Sequence, residues 1–278
     1  MIALVTDSSS QIPPDLARRF GVEVVPVVVS VEGVDYREGV DLHADDFWER
    51  FGGGDLPEVA TSQPSPGQFA DVYARAIAAG ADEIVSVHVG EVHSGTINSA
   101  RLAADATSVP VHLVDSGTAS FGVTCCVWEA GAALADGAAA AEAADRARAT
   151  APTIGTTFII QALDFARRGG RLAPHLADDH DGVMVLGGVG GAIDVLATGH
   201  TVEELCDQMV APFLADGRPF RAGVSLADPA TAVFTEGIEA RLRASGRCDD
   251  LVRYRVGPSI AAHTGPGTAG GFWYPVET

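Results

Sequence analysis

The sequence predicts an α/β protein of two domains: an N-terminal parallel-sheet domain over residues 1–150 and a C-terminal α/β domain with a mixed sheet over 151–278. Three observations carry this. Apolar runs of four to eight residues alternate with segments of helical period, the pattern of strands joined by helices. In the first half the β-α-β-α order implies parallel strands with right-handed crossovers. Around residues 150–152 the pattern changes, and short strands separated by glycine turns follow.

The first apolar run, residues 2–5, is a strand with Asp7, Ser8 and Ser9 at its polar exit. It has no basic stretch before it and no small-residue cleavage site after it, so it does not read as a signal peptide. Pro13-Pro14 suits the first turn of a helix running to about residue 20. Residues 22–31 are mostly Val and read as one strand buried on both faces, despite Glu23 and Pro26. Strands follow at 83–88 and 111–114, and helices at 66–79, 95–106 and 120–134. The Ala-rich stretch 130–151 reads as helix interrupted near Asp136-Gly137, with Glu142, Asp145, Arg146 and Arg148 on one side.

In the second half a helix over 158–168 precedes Gly169-Gly170 and an irregular polar loop, 174–182. Strands at 183–186 and 192–196 flank a Gly-rich hairpin turn. A helix over 202–214, a strand over 222–226 and a helix over 229–244 come next. Strands at 251–256, 260–263 and 272–274 complete the second domain.

With 47% hydrophobic and 20% charged residues, the chain is neither a disordered tail nor a coiled coil. A chain of this size buries roughly 73% of its unfolded surface, enough for a core without disulfides or metals. The net charge of −19 repels phosphate backbones and anionic headgroups, which argues against nucleic acid and membrane-surface partners. No stretch approaches the roughly 18 apolar residues of a membrane span. Four cysteines show no CxxC, and the adjacent Cys125 and Cys126 read as packing residues in a reducing cytoplasm. The expected location is cytoplasmic.

Four polar segments combine small hydroxyl residues with Gly or Pro, or lie at a predicted element end. They are Thr6-Asp7-Ser8-Ser9-Ser10, Thr61-Ser62-Gln63-Pro64-Ser65, His93-Ser94-Gly95-Thr96 and His263-Thr264-Gly265-Pro266-Gly267. In a parallel α/β sheet the carboxyl ends of the strands line the ligand crevice, and helix N-termini there suit an anion. Taken singly, each segment also has a plain structural explanation. Ser94 reads as a helix N-cap, the Thr61–Ser65 turn as an N-capping turn, and His263 as a structural histidine at a strand end.

In combination, their order and spacing resemble the DegV-like proteins, fatty-acid-binding subunits of the bacterial fatty acid kinase system. The resemblance extends through Asn98-Ser99-Ala100, Val114-Asp115-Ser116, Ala119-Ser120-Phe121-Gly122, Gly169-Gly170-Arg171-Leu172 and Thr268. It implies a Rossmann-like N-terminal domain and an acyl chain buried between the two domains. It further implies a carboxylate held by hydroxyls of Thr61 and Ser94 with His263 beside them, and with Ser62, Gly95, Thr96 and Thr264 in support. Such a protein is not itself an enzyme and needs no cofactor. It carries a long-chain fatty acid such as palmitate, stearate or oleate. A separate ATP-using kinase subunit then phosphorylates the carboxylate, and the acyl phosphate feeds phospholipid synthesis.

Two departures from the family pattern stand out. No Arg or Lys occurs between Arg171 and Arg218, where the family carries a second-domain arginine, and His93 replaces the usual leucine before Ser-Gly-Thr. Arg167, Arg168 and Arg171 form a candidate kinase-docking patch. The alternative reading is a small serine hydrolase or acyltransferase using Ser94 and His263, although no GxSxG elbow is present. His175, Asp178, Asp179, His180 and Asp181 match no metal-site spacing and read as a solvated acidic loop. Gly187-Gly188-Val189-Gly190-Gly191 lacks the order of a nucleotide-binding loop.

Overall fold

A computed structural model describes residues 1–50, 57–170, 176 and 181–276. The chain starts with β1 (Ile2–Asp7), a short 3-10 turn, α1 (Pro14–Phe20) and β2 (Val22–Val25). The single strand expected over 22–31 is two strands in different sheets. Pro26 has no N–H to give a ladder, so β2 ends against β1 and β3 (Val28–Val31) starts a new sheet. That sheet is the antiparallel order β4-β3-β5, with β4 at Val34–Arg37 and β5 at Val59–Ser62. Helix α2 (Ala44–Glu49) lies between β4 and β5 in sequence.

The first main sheet is parallel, in the order β2-β1-β6-β7, with β6 at Glu83–His88 and β7 at Val111–Asp115. Helices α3 (Pro66–Ala78) and α4 (Thr96–Asp105) make its crossovers. Helix α3 begins with Pro66 after a reciprocal Ser65–Gln68 capping box, and buries Phe69, Val72, Tyr73 and Ala76. Helix α5 (Phe121–Ala135) is buried on every side from Phe121 to Gly131, because it packs against β1 and β6 and also against a strand of the second sheet. It ends at Asp136-Gly137, and α6 (Ala140–Thr150) follows. Burial pushes the Cys126 thiol up to about 12 and raises that of Cys125 well above its ordinary value, as expected of packing residues.

The second main sheet has six strands in the order β10-β9-β8-β13-β11-β12. These are β8 (Gly155–Ile159), β9 (Val183–Val189), β10 (Asp194–Gly199), β11 (Phe220–Leu226), β12 (Cys248–Arg255) and β13 (Ala269–Pro275). Only β11 and β12 run parallel, so the sheet is mixed. Helices α7 (Leu163–Gly169), α8 (Val202–Val210), α9 (Ala232–Ala244) and α10 (Pro258–Thr264) complete the fold.

Four further expectations need correction. The helix expected over 158–168 is the end of β8 followed by α7, since Thr156, Thr157, Phe158 and Ile159 pair with β9 and β13. The helices expected over 202–214 and 229–244 are α8 and α9 with single 3-10 turns, Ala211–Leu214 and Pro229–Thr231, at a proline-bearing end. Residues 260–263, expected as a strand, form helix α10. A four-residue apolar run does not distinguish the two states, and Pro258 at the first helical position decides it. Of the loop 174–182, only Leu176 and residues 181–182 lie within the described residues, and Arg171 lies outside them.

The two main sheets are tied together by a buried carboxylate. Glu129 on α5 accepts from Arg146 Nε of α6 (3.0 Å), Arg221 Nη1 of β11 (2.6 Å) and the Tyr274 hydroxyl of β13 (3.0 Å). It is the buried acid of this cluster and is fully partnered, as burial of a charge requires.

Candidate functional site

A cavity of about 250 Å³ opens where the carboxyl ends of the parallel strands face the second sheet. Thr61, Ser94 and His263, singled out from sequence, all line it, and Thr264 and His93 do so as well. Thr61 closes β5, Ser94 follows β6, and His263 is in the last turn of α10. His263 Nε2 lies 3.0 Å from Thr61 Oγ1, across 202 residues of sequence. Ser62 follows Thr61 on a strand, so it points to the opposite face, where it is exposed.

Ser94 is not the helix cap that its position suggests. The cap of α4 is Gly95, and the Ser94 hydroxyl instead meets Thr96 Oγ1 at 2.8 Å and accepts from Thr96 N at 3.3 Å. Thr96 therefore stands behind Ser94 and fixes its hydroxyl. Gly95 has a steric reason. A Cβ there would run into Oε1 of Gln63, whose Nε2 donates to Ser99 Oγ at 3.1 Å and so braces the Thr61 turn against α4.

The rest of the lining is mostly apolar, with Val27, Val89, Phe158, Ile193, Ile260 and Phe272 among its walls. Among the described residues no Asp, Glu, Arg or Lys lines the cavity; its titratable groups are His93, His263 and Tyr254. The site therefore offers hydroxyl and imidazole donors to an anion without a fixed cation, followed by an apolar space. The Ser94 hydroxyl meets that of Thr96, the His263 imidazole meets the hydroxyl of Thr61, and among the described residues no acid lines the cavity. Among the described residues no cluster of His, Cys, Asp and Glu is arranged to hold a metal ion.

Two buried acids hold this site in place. Asp7, at the end of β1, is fully buried. It accepts from Ser9 N (3.1 Å), the Ser9 hydroxyl, Val89 N (3.2 Å) and His88 Nδ1 (3.0 Å). His88 Nε2 meets Ser86 Oγ at 2.7 Å, and Ser86 Oγ meets the Tyr73 hydroxyl at 2.9 Å. This chain locks the exits of β1 and β6, and with them Ser9 and Val89, which line the cavity.

Glu38 is the second. Its Oε2 accepts from Ser8 Oγ (2.5 Å) and its Oε1 from Ser259 N (2.9 Å), while Gln11 Oε1 accepts from Gly257 N. Glu38 and Gln11 thus satisfy the first amides of α10, the helix that carries His263. Neither was flagged from sequence, because an isolated Glu in a turn and a Gln after a serine run carry no spacing signal.

Burial pushes the Glu38 carboxyl above the usual carboxylate range, against the lowering effect of its donors. The folded state then holds this proton to higher pH than the unfolded state does. Its contribution to stability is fully present below the unfolded pKa, roughly 4.3, and declines as pH rises toward the folded value. The stability of wild type relative to Glu38→Gln is expected to fall with rising pH across this window in urea denaturation. A pH-independent difference would contradict it.

Residues 1–276 match the family model described as an uncharacterised protein of the DegV family. The chain belongs to the DegV family. It is 32% identical over 277 residues to a DegV domain-containing protein of Streptomyces coelicolor, covering 97% of this chain and 96% of that one. A DegV family protein from Thermus thermophilus, described for its fatty acid binding, superposes with a TM-score of 0.86 at 32% identity over 99% of both chains. The Bacillus subtilis DegV, described as a fatty acid binding protein, has a TM-score of 0.85 at 22% identity over 99% of both chains, a likeness of fold. Among the described residues no helix is long and apolar enough to cross a membrane.

Proposed function

We propose that this DegV-family chain is a fatty-acid carrier. Its carboxylate site is formed by Thr61, Ser94 and His263, with Gly95, Thr96 and Thr264 in support, and the acyl chain runs into the apolar cavity. One observation carries the reading. A single cavity has hydroxyl and imidazole donors from β5, the β6–α4 turn and α10, together with apolar walls and, among the described residues, no fixed charge. The Thermus thermophilus relative, at 32% identity, supports the same ligand class.

The energetics are consistent with it. Burying about 14 methylenes of a 16-carbon chain yields a gross gain of about 11 kcal/mol at ~0.8 kcal/mol each. Association costs of about 4–15 kcal/mol offset much of that. The tail then supplies affinity, and charge-assisted hydrogen bonds orient the head. Palmitate, stearate and oleate are the candidate ligands. In this reading the domains, residues 1–150 and 151–278, close on the acid. The chain acts in the cytoplasm without chemistry of its own. It presents the carboxylate to a separate kinase subunit, whose acyl phosphate product enters phospholipid synthesis.

Denaturing freshly purified protein, extracting it with organic solvent and identifying released acids by mass spectrometry tests the carrier reading. A near-stoichiometric long-chain acid is expected, and oleate added to delipidated protein is expected to raise Tm, because it binds the native state alone. An empty extract together with no shift on oleate addition would overturn the reading. For the kinase step, the bound acid should become an acyl phosphate only when the kinase and ATP are both present.

A further inference from the structure

The cavity holds a second polar group, on elements that carry none of Thr61, Ser94 and His263. Ser120 precedes α5, Ser225 lies on β11 and Tyr254 on β12, and all three line the cavity. They are buried, at 7%, 2% and 4% exposure. The Tyr254 ring stacks on Phe121 at 4.7 Å and meets Phe272 edge-on at 6.3 Å, which fixes the direction of its hydroxyl. Ser120 and Ser225 line the same cavity as that hydroxyl. Ser225 Oγ is held in turn by Gly270 N at 2.9 Å.

Ser120 has φ 55° and ψ −144°, a region that a residue with a side chain enters only when its surroundings hold it there. The strain places a hydroxyl at the cavity wall. The three groups bring three hydroxyl hydrogens to the cavity wall. Among the described residues the hydrogen bond found at these side-chain oxygens is the one from Gly270 N, so their own hydrogens are available to an acceptor inside the cavity. A saturated acyl chain passing this point has none to offer.

We propose that Ser120, Tyr254 and Ser225 form an oxygen-recognition subsite in the acyl cavity, which favours a long-chain acid bearing an in-chain hydroxyl over its saturated counterpart. This rests on the fatty-acid reading of the cavity. The ligand hydroxyl accepts one of these hydrogens, and the apolar walls take the methylenes on either side. A neutral hydrogen bond of ordinary net strength corresponds to a preference of about two- to tenfold.

The test is a fluorescence-displacement series on the full chain with stearate and monohydroxystearates substituted at different carbons. At least one positional isomer is expected to bind about two- to tenfold tighter than stearate, and isomers with the hydroxyl elsewhere more weakly. In Tyr254→Phe and, separately, in Ser120→Ala, the ratio of that isomer's affinity to that of stearate is expected to fall to one or below. If stearate binds wild type and no isomer exceeds it, or if the preference survives both substitutions, the subsite is overturned while the carrier reading stands. If neither stearate nor any isomer binds wild type, the carrier reading falls, and the subsite with it.

Discussion

Asp7→Ala is expected to destabilise the fold by about 3 kcal/mol, the largest effect of any single polar substitution near the site. Its carboxylate serves four donors, and truncation leaves Ser9 N, Val89 N and His88 Nδ1 in a fully buried place without their acceptor. A buried donor left unsatisfied costs about 1–3 kcal/mol, and relief of the carboxylate's own desolvation returns part of the sum. For a chain of this length, about 3 kcal/mol lowers Tm by roughly 6–12 °C. Asp7→Asn keeps one acceptor oxygen and should fall between wild type and alanine. A loss below about 1 kcal/mol in Asp7→Ala, measured by urea denaturation, would show that the chain from Tyr73 to Asp7 does not hold the strand exits.

The second large effect is on binding. Thr61→Val keeps the shape of the side chain and removes the hydroxyl, and His263→Ala removes the imidazole beside it. Each hydrogen bond to a charged partner contributes about 1.5–3 kcal/mol, so oleate affinity should fall by about tenfold to a hundredfold in each variant. The two groups are 3.0 Å apart, so the double variant should lose less than the product of the single losses. Thr61 and His263 are only half-buried, so thermal stability without ligand should change little. Affinity within twofold of wild type in both single variants would remove the carboxylate from this end of the cavity.

The parallel sheet was legible because each of its strands stands between turn signals and is followed by a helix with its own start. Ser65-Pro66 and the periodicity of Phe69, Val72, Tyr73 and Ala76 mark α3 without ambiguity. The break at Pro26 is marked by a single missing N–H that sends the chain to another sheet, while the Val-rich run around it argues strongly for continuity. Helix α10 was hidden because its amides are satisfied by Glu38 and Gln11, some 220 to 250 residues away. No local pattern reports a cap supplied from that distance. The site segments were legible as turns, and their convergence is a tertiary fact: Thr61 meets His263 only because α10 returns beside β5. Tyr254 and Ser225 gave no warning, since hydroxyl residues inside strands are commonplace, and Ser120 was legible only as part of the segment Ala119-Ser120-Phe121-Gly122.

The second sheet places β13, the last of its strands in sequence, between β8 and β11 rather than at an edge. Gly270, Gly271 and Phe272 of that strand are also cavity wall. During synthesis the ribosome must therefore release residues 269–275 before the container is closed. The parallel sheet has all its strands by residue 115, long before a lipid could be enclosed. A nascent chain halted before residue 269 has hydroxyls at Thr61 and Ser94 but lacks one wall. Under the carrier reading, enclosure of an acid is thereby deferred until residues 269–275 have been added, and a chain halted before them lacks the wall that would hold it.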